Sequence, residues 1–178
     1  RLSGRLKIGQ LLTIVFQKLG LLNKVYRSGE CDADTPKVPF YKMPNALAHL
    51  AADQLTKLPQ TIAHRAKLAT VYDNELDTDT IPKQVQISGS SAYLRYTVQV
   101  PTRDQLMSLA QKRGYLLGNW YQDVVMPRPK DWKTIHYTPG SCPVAEALVK
   151  QNVNLPTSQK FTEKDAQIIS DLVKQSYE

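Results

Sequence analysis

The chain has 178 residues, of which 42% are hydrophobic and 22% are charged, a composition typical of a soluble globular domain with one core. Most of its net charge of +7 lies in the first thirty residues, so no basic face for nucleic acid is implied in the remainder. Cys31 and Cys142, the two cysteines, stand in no metal or redox spacing, which favours free thiols in a reducing cytoplasm.

The first predicted element is an amphipathic helix that ends near Leu22. Lys7 and Lys18 interrupt its apolar stretch, so it is too polar to cross a membrane. Docking on a core is favoured over binding at a membrane surface. A loop rich in proline and aspartate then runs to Tyr41. We place the domain boundary there, with residues 1–40 as a helix and connector and residues 41–178 as the main domain.

Two helices and a strand pair are predicted next. Pro44 favours a helix start, and apolar residues recur at helical spacing up to Leu58. Pro59 predicts a kink or a new start, after which the apolar stripe resumes and reaches Leu76. The period then changes to two, which predicts strands around residues 85–87 and 94–100. Together they form a strand pair with one buried face, which in the second strand carries Leu94, Tyr96, Val98 and Val100.

The rest of the chain alternates short elements. Thr102 and Gln105 form a candidate capping box for a helix that Gly114 ends, and a strand is expected from Tyr115 to Tyr121. A proline-rich loop, a helix starting at Pro143, a strand at residues 153–155 and a helix capped by Thr162 follow. This order indicates an α/β domain of two layers, with a mixed or antiparallel sheet covered by helices.

Residue chemistry alone names no reaction. The three histidines stand in no ligand spacing and no glycine-rich phosphate loop is present, so neither a metal site nor a nucleotide fold is indicated. Aromatic and basic side chains flank the proline-rich loop and could bind a phosphorylated or sugar ligand, although packing of the loop explains them equally well. They are Trp120, Tyr121, Trp132, Arg128, Lys130 and Lys133.

Four sequence blocks together resemble the C-terminal half of DegT/DnrJ/StrS-type sugar aminotransferases. They are Tyr41 to Leu47 with Gln54, Arg65 and Tyr72; Tyr93 to Val100 with Arg103 to Leu106; Gly118 to Tyr121 leading to Pro127; and Cys142 to Glu146 with Leu155 to Thr157. The blocks extend over most of the chain, and the resemblance depends on their order and spacing rather than on any one of them.

The resemblance implies the small C-terminal domain of a fold-type-I pyridoxal-phosphate transferase, usually a cytoplasmic homodimer. Such enzymes move an amino group from glutamate to a nucleotide-linked keto sugar, using a Schiff-base lysine on a large domain that precedes the matched region. The sequence begins with Arg1 and none of its lysines matches that motif. We therefore expect no catalytic residue here, no cofactor bound to this piece alone, and no transamination without the large domain.

The resemblance also assigns site residues. Lys42 and Asn45 correspond to cofactor binding across the dimer, although Phe40 stands where relatives place an asparagine. A solvated lysine at a helix start is the alternative for Lys42. Trp120, Tyr121 and Arg128 correspond to the substrate side of the pocket.

Two other functions stay open. The chain could be a stand-alone binding or interaction module with the same fold. Alternatively, its basic N-terminal helix could bind a membrane surface or nucleic acid.

Overall fold

A two-stranded sheet and six α-helices are present in the described part of the chain. The computed structural model describes residues 6–22, 42–76, 81, 91–126, 128–129 and 131–177, with the side chains of residues 9 and 11–22 in the first of these ranges. The helices are α1 (Leu6–Lys18), α2 (Asn45–Thr56), α3 (Leu58–Glu75), α4 (Arg103–Lys112), α5 (Pro143–Gln151) and α6 (Glu163–Gln175). The strands are β1 (Tyr96–Gln99) and β2 (Asn152–Leu155), and a 3₁₀ turn covers Trp132–Ile135.

The chain divides into two units. The sheet unit comprises Pro39–Trp120 and Lys150–Glu178, and the loop unit comprises Arg1–Val38 and Tyr121–Val149. The sheet unit holds both strands together with α2, α3, α4 and α6. The predicted boundary near residue 40 stays a prediction.

The sheet is antiparallel, with Tyr96 opposite Leu155 and Val98 opposite Val153. These four side chains are buried, whereas Thr97, which alternates with them on β1, is half-buried. Since alternate residues of a strand point to opposite faces, one face of the sheet is apolar and the other is polar. The predicted fold class, an α/β domain with a helix-covered sheet, is confirmed.

The core lies on the apolar face, where α3 and α4 pack with α6. Tyr72 of α3 and Tyr96 of β1 are both buried, with ring centroids 5.0 Å apart and planes tilted by 40°. The Tyr72 hydroxyl donates to the backbone carbonyl of Pro156 at 2.9 Å, and the Tyr96 hydroxyl donates to Asp73 at 2.6 Å. Each buried phenol therefore has a hydrogen-bond acceptor, as burial of a hydroxyl requires.

Local sequence signals fix several helix ends. Thr162 caps α6, as the sequence predicted, and the structure adds the reciprocal bond to the Asp165 side chain that completes a capping box. Pro59 lies in the first turn of α3, which confirms the predicted new start. Gly114 follows α4 with a φ of +85°, a conformation that glycine adopts without steric cost.

Three predictions need correction. Thr102 is the N-cap residue of α4 but forms no side-chain cap, because its hydroxyl donates to the carbonyl of Ser176 at 3.1 Å. The strand expected over residues 115–121 is reduced to an isolated bridge between Gly118 and Asn154. Leu94, expected on the buried face, is exposed and lies before β1 begins. The strand predicted at residues 85–87 lies outside the described residues.

The described side chains of α1 and all side chains of α2 are exposed. On α1 they include Leu12 and Phe16, so docking of this helix on a core, which the sequence favoured, is not seen among the described side chains. On α2 they include Leu47, Leu50 and Leu55. Both helices therefore present apolar side chains to solvent in this chain.

Candidate functional site

A pocket of about 300 Å³ lies at the polar face of the sheet, within the sheet unit. Arg65 of α3, Arg95 before β1 and Trp120 after the Gly118 bridge line this pocket together with Asn154 of β2. Arg95 reaches this face because it alternates with buried Tyr96 along the chain. Thr157 and Ser158, which follow β2, complete its polar lining.

Trp120 is held in place by the sheet. Its backbone N–H donates to the side-chain oxygen of Asn154 at 2.9 Å, and its carbonyl accepts from the side-chain amide of Asn152 at 2.5 Å. The Arg95 guanidinium lies 4.5 Å from the centroid of the indole ring, a cation–π distance. The residue is 44% exposed, so part of it is accessible to a ligand.

Asn154 connects the parts of this site. Its backbone N–H donates to the carbonyl of Gly118 at 2.7 Å and its carbonyl accepts from the Gly118 N–H at 2.9 Å. Its side-chain amide donates to the Thr97 hydroxyl at 3.2 Å while the amide oxygen accepts from Trp120. Gly118 permits this approach, because a Cβ there would lie 3.2 Å from the Asn154 Cβ.

The loop unit has its own cluster of aromatic and charged side chains. Arg128 is exposed, lies 3.5 Å from the Asp123 carboxylate, and has its guanidinium 5.9 Å from the centroid of the Trp132 ring. The rings of Trp132 and Tyr137 lie 5.3 Å apart. The predicted substrate residue Arg128 is thus already engaged with neighbours of its own loop.

Glu146 organises the turn before α5. Its carboxylate accepts from the Tyr137 hydroxyl at 2.5 Å and from the Gly140 N–H at 2.6 Å. The hydrogen bond to this carboxylate raises the pKa of Tyr137 to about 12. Tyr137 is therefore a hydrogen-bond donor rather than a proton acceptor near neutral pH.

Lys42 and Asn45, the predicted cofactor residues, lie at the start of α2 and are exposed. Pro44 is the N-cap residue and no side chain caps the helix, so backbone N–H groups of its first turn lack a side-chain acceptor. An exposed lysine beside such a helix start is suited to a phosphate group.

The three residues that the sequence assigned together to the substrate side of the pocket fall in different units of the structure. Trp120 lies in the pocket, whereas Tyr121 and Arg128 belong to the loop unit. Ligand contact by these residues stays a prediction. The sequence assigned no ligand role to Arg65 or Arg95. Alternation along β1 signalled the face of Arg95, but only packing of α3 brings Arg65 to the same pocket.

Other kinds of site are not found among the described residues. No group of three or more histidine, cysteine or acidic side chains there is placed to hold a metal ion. Within the same ranges, no helix has both the length and the apolar character that crossing a bilayer requires.

The model of the DegT/DnrJ/EryC1/StrS aminotransferase family matches residues 35–174. Among solved structures, the chain is similar to Spr1654 of Streptococcus pneumoniae, named as a sugar aminotransferase, with 20% identity and a TM-score of 0.68 over 79% of this chain and 37% of that one. DesV of S. venezuelae, solved with a ketimine intermediate, has 23% identity and a TM-score of 0.62 over 71% of this chain and 34% of its own.

A DegT DnrJ EryC1 StrS aminotransferase from Brucella abortus has 24% identity and a TM-score of 0.58 over 70% of this chain and 33% of its own. The chain thus spans about a third of the length of these structures. At these identities the similarity establishes the shared fold. A search of curated proteins found no match.

Proposed function

Because this chain belongs to the DegT/DnrJ/EryC1/StrS aminotransferase family, we propose that it is the C-terminal portion of a nucleotide-sugar aminotransferase. The reaction is transfer of an amino group from glutamate to a keto sugar. The observation that carries the proposal is the family match over residues 35–174, together with the shared fold. Residues 41–178 form the small domain in this proposal, and residues 1–40 connect it to a large domain.

A large domain is part of the proposal for two reasons. The chain spans about a third of the length of the structures it matches, which leaves room for a further domain. In addition, exposed leucines on α2, such as Leu47 and Leu50, form an apolar surface that is suited to cover by another domain or a second copy. We place the complete enzyme in the cytoplasm as a homodimer.

The residues at the start of α2 fit the phosphate of pyridoxal phosphate. Bound to the complete enzyme, the cofactor supplies the electron sink for amino transfer. Lys42 would hold its phosphate as a point charge, and the uncapped first turn of α2 would donate backbone hydrogen bonds to the same group. Asn45, the first residue of α2, would contribute its side-chain amide.

Trp120 is the substrate-facing residue in this proposal. The hydrogen bonds that its backbone donates to Asn154 and accepts from Asn152 fix its main chain, so its indole is a prepositioned stacking surface for a sugar or a base. Tyr121 and Arg128, which belong to the loop unit, are further substrate-binding residues in this proposal.

The first experiment tests whether the lysine that binds the cofactor lies in the large domain rather than in this chain. The 178-residue chain is incubated with pyridoxal phosphate, and the visible absorbance band of a lysine adduct is sought after dialysis. We expect no retained band and no amino transfer from glutamate. Joining the chain to its large domain should produce both. A retained band, located on one lysine of this chain by borohydride reduction and peptide mass spectrometry, would refute the proposal that the reactive lysine lies elsewhere.

The second experiment tests the cofactor residues in the joined enzyme. Lys42→Ala should lower cofactor affinity about tenfold, because a charge-assisted contact to phosphate is lost. Lys57→Ala is the matched control: this lysine lies at the other end of α2, where it pairs with Asp53 at 2.6 Å. Equal cofactor affinity in the two variants would remove Lys42 from the site.

A further inference from the structure

Two arginines converge on the pocket at the polar face of the sheet. Arg65 comes from the middle of α3, and Arg95 comes from the residue before β1. The described lining of this pocket contains no aspartate or glutamate. Two arginines in a concave surface whose described lining carries no acid create a positive potential.

Arg65 has a polar atom that lacks a partner. Its Nε–H is buried from solvent and makes no hydrogen bond among the described residues. Buried donors are almost always satisfied, so an unpaired one in a residue that lines a pocket indicates a missing acceptor. An arginine Nε–H belongs to the donor fork that binds an oxyanion through two parallel hydrogen bonds.

Arg95 is oriented by its aromatic neighbour. Its guanidinium lies over the ring of Trp120 at 4.5 Å, and Trp120 is itself fixed by Asn152 and Asn154. A cation–π contact depends on the charge of the guanidinium and on the ring, and it requires no N–H hydrogen bond. The Arg95 side chain is therefore held in place without using its hydrogen-bonding capacity in that contact.

We propose that Arg65 and Arg95 form an oxyanion subsite that holds a phosphate or carboxylate group in this pocket. The volume of about 300 Å³ accommodates such a group together with part of the molecule that carries it. The Ser158 hydroxyl, at the pocket lining, is a further donor for the same anion. The subsite adds a substrate-binding element to the proposed function. Only the identity of the molecule that bears the anion, a nucleotide sugar or glutamate, rests on that function.

The test measures anion binding by the 178-residue chain without cofactor or turnover. Isothermal titration calorimetry is performed with pyrophosphate and with glutamate. Binding of pyrophosphate alone would identify phosphate as the ligand group, and binding of glutamate alone would identify carboxylate. We expect Arg65→Gln and Arg95→Gln each to weaken the binding at least about tenfold. Absence of binding by both anions would overturn the subsite.

Matched variants exclude general effects of charge and folding. Arg113→Gln removes an exposed arginine after α4, outside the pocket lining, and should leave binding unchanged. Arg65→Lys keeps the charge but removes the Nε–H, so it should also weaken binding. Circular dichroism establishes that each variant is folded. Equal affinity in Arg65→Lys, Arg95→Gln and the wild-type chain would refute the assignment of these two residues.

A direct readout is the Nε–H resonance of Arg65 in an ¹⁵N correlation spectrum. Its assignment comes from its loss in Arg65→Lys, and it should shift as the anion is added. An unmoved resonance at saturation would contradict the subsite. If anions bind as expected but the joined enzyme transfers no amino group, the proposed function fails while the subsite stands.

Discussion

Replacing one leucine on α3 and one on α2 tests the contrast in burial between these helices. Leu68 lies near the middle of α3 and is 0% exposed, whereas Leu50 lies near the middle of α2 and is 57% exposed. Because both sites are helical, Leu68→Ala and Leu50→Ala make the same small change in helix propensity. A difference in stability between the variants therefore reports packing.

The expected cost of Leu68→Ala combines lost burial with the cavity that is left. Burial of a leucine side chain contributes about 1.5–3 kcal/mol, and a leucine-to-alanine change in a packed core costs about 2–5 kcal/mol. For a chain of this size, a loss of about 3 kcal/mol lowers the melting temperature by about 6–12 °C. Leu50→Ala should change the free energy of unfolding by less than about 0.5 kcal/mol.

Urea unfolding followed by circular dichroism measures both values. A cost for Leu50→Ala comparable with that for Leu68→Ala would refute the exposure of α2 in this chain. A cost below about 1 kcal/mol for Leu68→Ala would refute its place in a packed core. In the joined enzyme the order should change, because Leu50→Ala would then weaken the surface that the large domain or second copy covers.

Three further variants test individual contacts. In α6, hydrogen bonds from the Thr162 backbone and side chain lower the pKa of Asp165. A carboxylate with a lowered folded pKa stabilises the fold above its unfolded pKa and loses that contribution as pH falls through the folded one. The stability advantage of wild type over Asp165→Asn should accordingly be present at pH 7 and decline progressively as pH falls below about 4 in urea titrations; a pH-independent difference would contradict it. Gly118→Ala should destabilise the chain by about 1–3 kcal/mol, since its Cβ would crowd Asn154, and an unchanged unfolding midpoint would show that the bridge adapts. Tyr72→Phe should cost about 1–2 kcal/mol through loss of the hydrogen bond to the segment after β2, and unfolding within error of wild type would exclude that bond.

Features with a local cause were predictable from the sequence. The cap at Thr162, the new helix start at Pro59 and the glycine end of α4 each depend on residues within one helical turn. The alternation of Tyr96 and Val98 likewise identified the buried face of β1. The family resemblance, which depends on the order of several such blocks, is confirmed by the match over residues 35–174.

Features with a long-range cause were not predictable. The cap expected at Thr102 is absent because its hydroxyl meets the carbonyl of Ser176, at the other end of the chain. The strand expected at residues 115–121 is only a bridge at Gly118. A longer strand would need further backbone pairs with β2 beyond Asn154, and the local sequence does not determine these. The approach of Arg65 to Arg95 depends on packing of α3 against the sheet. Sequence periodicity carries no information on such distances.

Asn154, which hydrogen-bonds to Gly118, Trp120 and Thr97, is an uncharged side chain on the polar face of the sheet. An aspartate there has almost the same shape and could accept from Trp120 and from the Thr97 hydroxyl, so the local geometry would tolerate it. The added negative charge, however, would lie in the lining shared with Arg65 and Arg95 and would compete with any incoming anion. Replacing one amide nitrogen by oxygen at this residue would thus keep the hydrogen-bonded geometry of the polar face and weaken its binding of anions.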